Sequence, residues 1–107
     1  MRLERSLDGI AAVAGRDAAL TLARRHGGRV IRVPTTEKAL AVQPWCRDLT
    51  EEAAAAIGKT FAGDNLYIPS AKKAVGRWLI EQGLSSASIA AELKVSVRTV
   101  QRWIRRA

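Results

Sequence analysis

The side chains best suited to chemistry lie near the C-terminus of this sequence, and they are hydrogen-bond donors rather than nucleophiles. Arginine can bond guanine at two atoms, and glutamine can bond adenine in the same way. Serine and threonine hydroxyls can bond a phosphate near a helix N-terminus. Their types and spacing predict contacts with double-stranded DNA for the following residues: Ser96, Arg98, Thr99, Gln101, Arg102, Arg105 and Arg106.

Positive charge is concentrated in the same part of the chain. The formal net charge is +8 at pH 7. Residues 72–107 hold eight Lys or Arg and only two Glu, a net charge of +6. A basic segment beside a nearly balanced one indicates a polyanionic partner, most often nucleic acid. A basic face that only meets solvent is the alternative reading of the same pattern.

Signals for catalysis or metal binding are missing from the sequence. His26 is the only histidine and stands where a helix C-terminus favours its cation. Cys46 is the only cysteine, so the chain has no internal disulfide and no cysteine–histidine cluster for zinc. No apolar run approaches the 18 residues of a membrane span. We therefore expect no enzymatic activity, no metal and no cofactor, and a place in a reducing cytoplasm.

Apolar spacing places the DNA-contacting side chains on the second helix of a helix-turn-helix. Such a motif needs a small residue inside its first helix, and Ala90 fits. Relative to Ala90, positions minus one, plus three, plus five, plus ten and plus thirteen are all apolar: Ile89, Leu93, Val95, Val100 and Trp103. The position that favours glycine in the turn is Lys94, which can take the left-handed conformation at a cost of about 1 kcal/mol.

Helix start signals divide the C-terminal segment into three helices. Ser70 is the expected cap of the first, Ser85 or Ser86 of the second and Ser96 of the third. In the third helix, Val97 and Ile104 are expected to face inward or to pack at the ends, together with the residues already named.

A weak internal repeat precedes the three helices. Residues 18–39 and 53–74 match at an offset of 35 residues. Each copy predicts a helix, a glycine stop, a short strand and a proline that ends the strand. The strands are Arg29–Val33 and Asn65–Ile68. Two such short strands cannot stand alone in water, so they must pair with each other, with a second chain, or both.

The sequence therefore predicts a mainly α fold with two short β-strands. Residues 1–69 form a helix and strand region, which holds both helix-Gly-strand-Pro copies and to which the resemblance described next gives a role in dimerisation. Residues 70–107 form the helix-turn-helix domain. Trp45, in the linker between the copies, is expected to fill the core or anchor an interface.

The chain resembles the Mor family of transcription activators from Mu-like phages. The resemblance is carried by "FAGDNLYIPSAKKAV" (Phe61–Val75) and by the following "IEQGLSSASIAAELKVSVRTVQRWIRR". The earlier "AALTLARRHGGRVIRVP" resembles a second version of the same helix-Gly-Gly-strand-Pro signature. The resemblance implies a homodimer joined by its N-terminal part, a dyad-symmetric DNA site upstream of a phage promoter, and contact with RNA polymerase.

Carried over to this chain, the resemblance gives Arg98, Gln101 and Arg102 the role of base readers. It also places one strand near the two-fold axis and close to the DNA: Asn65, Leu66, Tyr67 and Ile68. The chain departs from the family in its apparent duplication, because a family member is expected to supply one strand per subunit. The two copies either pair within one chain, leaving one helix-turn-helix per unit, or pair across a dimer.

Two other functions fit part of the pattern. A similar C-terminal motif occurs in DNA-binding recruitment subunits, such as accessory proteins of phage packaging or transposition. A basic protein-interaction module is the third possibility, and it predicts weak binding that is blind to DNA sequence. A regulator predicts instead that DNA binding depends on Arg98, with each good base contact contributing about 1–3 kcal/mol.

Overall fold

A computed structural model describes residues 2–105 of the 107-residue chain, with side chains described from Leu7 to Arg105. The chain divides into two compact units, Met1–Ser70 and Ala71–Ala107, which are described separately below. The predicted fold class is confirmed, because the chain is mainly helical, has two antiparallel strands and ends in a helix-turn-helix. No helix in the described part of the chain is long and apolar enough to cross a membrane.

The first unit is built from helices around a two-stranded sheet. Thr50 starts its last helix, since its hydroxyl accepts a hydrogen bond from the Ala53 amide at 3.1 Å. In order, the elements are α1 (Arg2–Ala14), α2 (Arg16–His26), β1 (Arg29–Arg32), α3 (Glu37–Ala41), a 3-10 helix (Pro44–Asp48), α4 (Glu51–Phe61) and β2 (Asn65–Ile68).

The two strands pair with each other inside one chain. They run antiparallel, with Ile31 opposite Leu66 on the buried face and Val30 opposite Tyr67 on the outer face. The sequence left open whether the strands pair with each other, with a second chain, or both, and the structure has the pairing with each other. Pairing lets each short strand satisfy backbone groups that it could not satisfy alone.

The elements of the two copies of the internal repeat recur at a constant offset along the chain. Helices α2 and α4 begin and end at positions 35 residues apart. The glycines that follow them, Gly28 and Gly63, have φ angles of 82° and 84°. A side chain is strained in this left-handed region, so glycine is favoured at both turns from helix to strand.

The core of the first unit collects aliphatic side chains from every large element. Its fully buried members are Ile10, Leu22, Val33, Ile57 and Ile68. Trp45 joins this core with only 3% of its surface exposed. Its indole nitrogen donates a hydrogen bond to the Arg32 carbonyl at 3.3 Å, so the ring fills the core and also covers part of the β1 edge.

The second unit contains three helices, α5 (Lys72–Glu81), α6 (Ser86–Leu93) and α7 (Val97–Arg105). Ser85 caps α6, and its hydroxyl accepts a hydrogen bond from the Ser88 amide at 3.1 Å. The expected cap of α5 is wrong. The residue before α5 is Ala71, in a left-handed conformation with φ of 45°, so the chain turns after Ser70 and leaves that serine outside the helix.

Candidate nucleic-acid interface

The turn between α6 and α7 has the geometry that the spacing predicts. Lys94 takes the left-handed conformation, with φ of 58° and ψ of 46°, at the position where glycine is favoured. Its amide and that of Val95 both donate to the Ala90 carbonyl, the latter at 3.0 Å. These bonds close the end of α6 and redirect the chain into α7.

Small and aliphatic side chains bring α6 and α7 together. Ala90 is buried, so α7 can approach α6 closely, and the other members of the buried set are Ile89, Leu93 and Val100. Val95 and Trp103 are half-buried. Val97 and Ile104, which were expected to face inward or to pack at the ends, lie at the two ends of α7 and are 41% and 42% exposed.

Four of the predicted DNA-contacting residues share the outward face of α7. Arg98, Gln101, Arg102 and Arg105 are three or four residues apart and all exposed. Within the described part of the chain, the side chains of these three arginines form no hydrogen bond or ion pair. This face of α7 therefore presents three guanidinium groups and one amide to solvent, and no carboxylate of the described residues pairs with the guanidinium groups.

The other predicted residues occupy the ends of α7. Ser96 caps the helix, and its hydroxyl accepts a hydrogen bond from the Thr99 amide at 3.1 Å. The two hydroxyl oxygens are 2.9 Å apart, and Thr99 is half-buried. Both hydroxyls are thus held at the helix N-terminus, where the partial positive charge of the dipole lies. Arg106 lies outside the described residues.

Two residues that sequence reasoning missed hold α7 from the side of α5. Gly76 lies against the Trp103 ring, and a Cβ added to this glycine would run into that ring. The Arg77 side chain donates a hydrogen bond from Nε to the Trp103 carbonyl at 3.4 Å, close to the end of α7. A glycine in the middle of a helical pattern was the available signal, since such a glycine often marks close packing.

The side chains of β2, the strand predicted to lie near a two-fold axis, alternate between the two faces of the sheet. Leu66 and Ile68 are buried in the core of their own chain. Asn65 is exposed and Tyr67 is half-buried, on the outer face. Only these last two side chains can meet a second molecule without opening the first unit.

Groups that could support other chemistry are few in the described part of the chain. No three His, Cys, Asp or Glu side chains come close enough there to hold a metal ion. The His26 ring contacts the Asp48 carboxylate at 3.2 Å, which ties the end of α2 to the 3-10 helix. Burial raises the pKa of the Cys46 thiol above its usual value, and this makes it less reactive.

Comparison with protein families gives a match to the C-terminal helices. Residues 72–107 match the model of a family described as a homeodomain-like domain. The match supports a DNA-binding helix-turn-helix, and α7 is the second helix of that motif. No curated protein and no solved structure matches the chain. The resemblance to Mor activators stays a prediction.

Proposed function

We propose that this protein is a sequence-specific transcription regulator without enzymatic activity, which reads DNA by placing α7 in the major groove. The exposed face of α7 carries the proposal. It combines three arginines and a glutamine on the second helix of a helix-turn-helix, and residues 72–107 match a homeodomain-like family. These side-chain types form the bonds that distinguish base pairs in the major groove.

Position along α7 assigns a role to each side chain. The N-terminal residues of a recognition helix contact base edges, which suits Arg98 and, one turn later, Gln101 and Arg102. Arg105 lies near the C-terminal end of α7 and suits a phosphate of the DNA backbone. Backbone amides in the first turn of α7, ordered by the Ser96 cap, suit a second phosphate through the helix dipole.

The finer assignment rests on the resemblance described above. We propose an activator of a phage or prophage promoter that acts in the bacterial cytoplasm and contacts RNA polymerase. A homodimer is also implied by the resemblance, with the strand Asn65–Ile68 near its axis. Because β1 and β2 already pair within one chain, such a dimer needs an interface other than the pairing of these two strands.

The proposal is tested by selecting binding sites from random duplex DNA near physiological salt. Wild type is compared with Arg98→Ala/Gln101→Ala and with a control, Arg47→Ala/Gln82→Ala, which removes the same side-chain types from exposed positions outside α7. We expect wild type and control to enrich the same motif, and the α7 variant to lose or relax it. A basic protein-interaction module would enrich no motif with any of the three proteins, and that result would reject the proposal.

A further inference from the structure

The repeat extends through the whole first unit and is not limited to the segments that match in sequence. The unit divides into two halves, residues 1–35 and residues 36–70. Along the sequence, α1 lies in the first half at the positions that α3 and the 3-10 helix occupy in the second half. The equivalent core positions are Ile10 and Trp45, which are 0% and 3% exposed. Pro44 stands where the first half has Gly9, and its missing amide hydrogen accounts for the break between α3 and the 3-10 helix.

The sheet register shows that the two halves are related by an approximate two-fold axis. Ile31 lies opposite Leu66, the residue 35 positions later that is equivalent to Ile31 in the second half. The two-fold axis therefore passes between these two residues. Hydrogen bonds at both ends of the sheet obey the same symmetry. The Gly28 amide donates to the Ile68 carbonyl at 2.6 Å, and the equivalent Gly63 amide donates to the Val33 carbonyl at 2.7 Å.

Burial follows the same symmetry in the central helices. Five positions of α2 are buried, and for four of them the position 35 residues later in α4 is buried as well; the exception is Leu20, whose equivalent Ala55 is exposed. The equivalent pairs are Ala18 and Ala53, Ala19 and Ala54, Leu22 and Ile57, and Ala23 and Gly58. The chain therefore encloses, within one polypeptide, a core that two identical subunits would share across a symmetric interface.

Little apolar surface on this unit is left for a second copy. Its exposed large apolar side chains, within the described residues, are three valines: Val13, Val30 and Val42. Stable homodimers bury a larger and more apolar surface than three such side chains provide. The β1 edge is protected as well, by the exposed charges of Arg29 and Arg32 and by the indole of Trp45.

We propose that residues 1–70 are a single-chain form of a two-fold dimer, and that one chain reads one non-palindromic DNA segment as a monomer, in place of the homodimer that the resemblance implies. The DNA-reading part of this inference rests on the proposed function. A palindromic operator mirrors two recognition helices related by a two-fold axis. In this chain the first half of the repeat, residues 1–35, continues into α3. Only the second half, residues 36–70, continues into a helix-turn-helix, so the two symmetric strands are accompanied by one recognition helix and not by two.

The single-chain dimer is tested without DNA by a disulfide across the sheet. Val30 and Tyr67 lie directly opposite each other on the outer face, at a separation that a disulfide can span. We expect oxidised Val30→Cys/Tyr67→Cys/Cys46→Ala, shown to be folded by circular dichroism, to run as a monomer on a non-reducing gel. A disulfide-linked dimer, or free thiols in the folded protein, would overturn the intrachain pairing.

The DNA-reading part is tested on the motif that wild type enriches from random duplexes. We expect a motif without two-fold symmetry, bound as a complex of one chain and one duplex in native mass spectrometry. A palindromic motif, bound by two chains at least tenfold more tightly than its half-site, would overturn this inference and leave the proposed function standing. If wild type enriches no motif, the proposed function fails, whereas the disulfide result still decides the architecture of residues 1–70.

Discussion

The backbone of Lys94 is strained by the conformation that the turn between α6 and α7 requires. Its left-handed backbone costs an L side chain about 1 kcal/mol, whereas glycine adopts the same conformation freely. We expect Lys94→Gly to raise the free energy of unfolding by about 0.5–1 kcal/mol in urea denaturation. Lys94→Ala is the control, because it removes the charge and keeps the strain. Equal stability of the two variants would contradict this explanation.

Cys46 gives a second prediction at the residue scale, since burial raises the pKa of its thiol. The thiolate is the reactive form, so a higher pKa leaves less of it at any pH below that value. We expect iodoacetamide to alkylate Cys46 more slowly at pH 8 in the folded protein than in urea. Mass spectrometry at several pH values would show the folded rate rising at higher pH than the unfolded rate. Superimposable profiles would refute the prediction.

Residues of the C-terminal unit were predictable where one local rule decides whether a side chain is buried or exposed. The spacing around Ala90 predicted the buried set of α6 and α7 and assigned the left-handed turn to Lys94. The same reasoning left Val97 and Ile104 between facing inward and packing at the ends, because they lie at the two ends of α7. Their exposure depends on whether another element covers those ends, and periodicity alone carries no such information.

At the scale of elements, the contact between α5 and α7 sets the position of α7, the proposed recognition helix. We expect Gly76→Ala to lower the free energy of unfolding by about 1–3 kcal/mol, because the added methyl group meets the Trp103 ring. DNA affinity should fall as well, since displacement of Trp103 tilts the exposed face of α7. Urea denaturation and a DNA-binding titration measure the two effects.

Adding Trp103→Leu to Gly76→Ala separates this clash from a loss of helix propensity. The smaller side chain frees space for the methyl group, so the double variant should be more stable than the sum of the two single changes predicts. Alanine is intrinsically a better helix former than glycine, which opposes the clash. If Gly76→Ala stabilises the protein, the close packing against Trp103 does not constrain α7.

The sheet shows what the sequence of an element leaves undecided. Glycine and proline predicted both strands, because these residues restrict the backbone locally, although β1 ends at Arg32, one residue before the expected Val33. The partner of each strand was open, since pairing within a chain and pairing between chains satisfy the same hydrogen bonds. The choice depends on how α1 to α4 pack around Ile31 and Leu66, which is a property of the assembled unit and not of either strand.

For the whole molecule, the uneven charge predicts how binding responds to salt. Residues 72–107 carry a net charge of +6, and each phosphate neutralised on duplex DNA adds about −0.9 to the slope of log K against log salt. We expect Arg105→Ala to reduce this slope by about 1 and to weaken binding equally on the selected motif and on a scrambled duplex. Titrations at several salt concentrations measure both quantities.

Arg98→Ala is the matched comparison, because it removes the same charge from the same face of α7. As a base reader, Arg98 should contribute about 1–3 kcal/mol on the selected motif and far less on the scrambled duplex. The ratio of the two affinities should therefore fall for Arg98→Ala and stay unchanged for Arg105→Ala. Identical behaviour of the two variants would mean that the basic face binds DNA by charge alone. The fold of the C-terminal unit would then serve to display charge and not to read sequence.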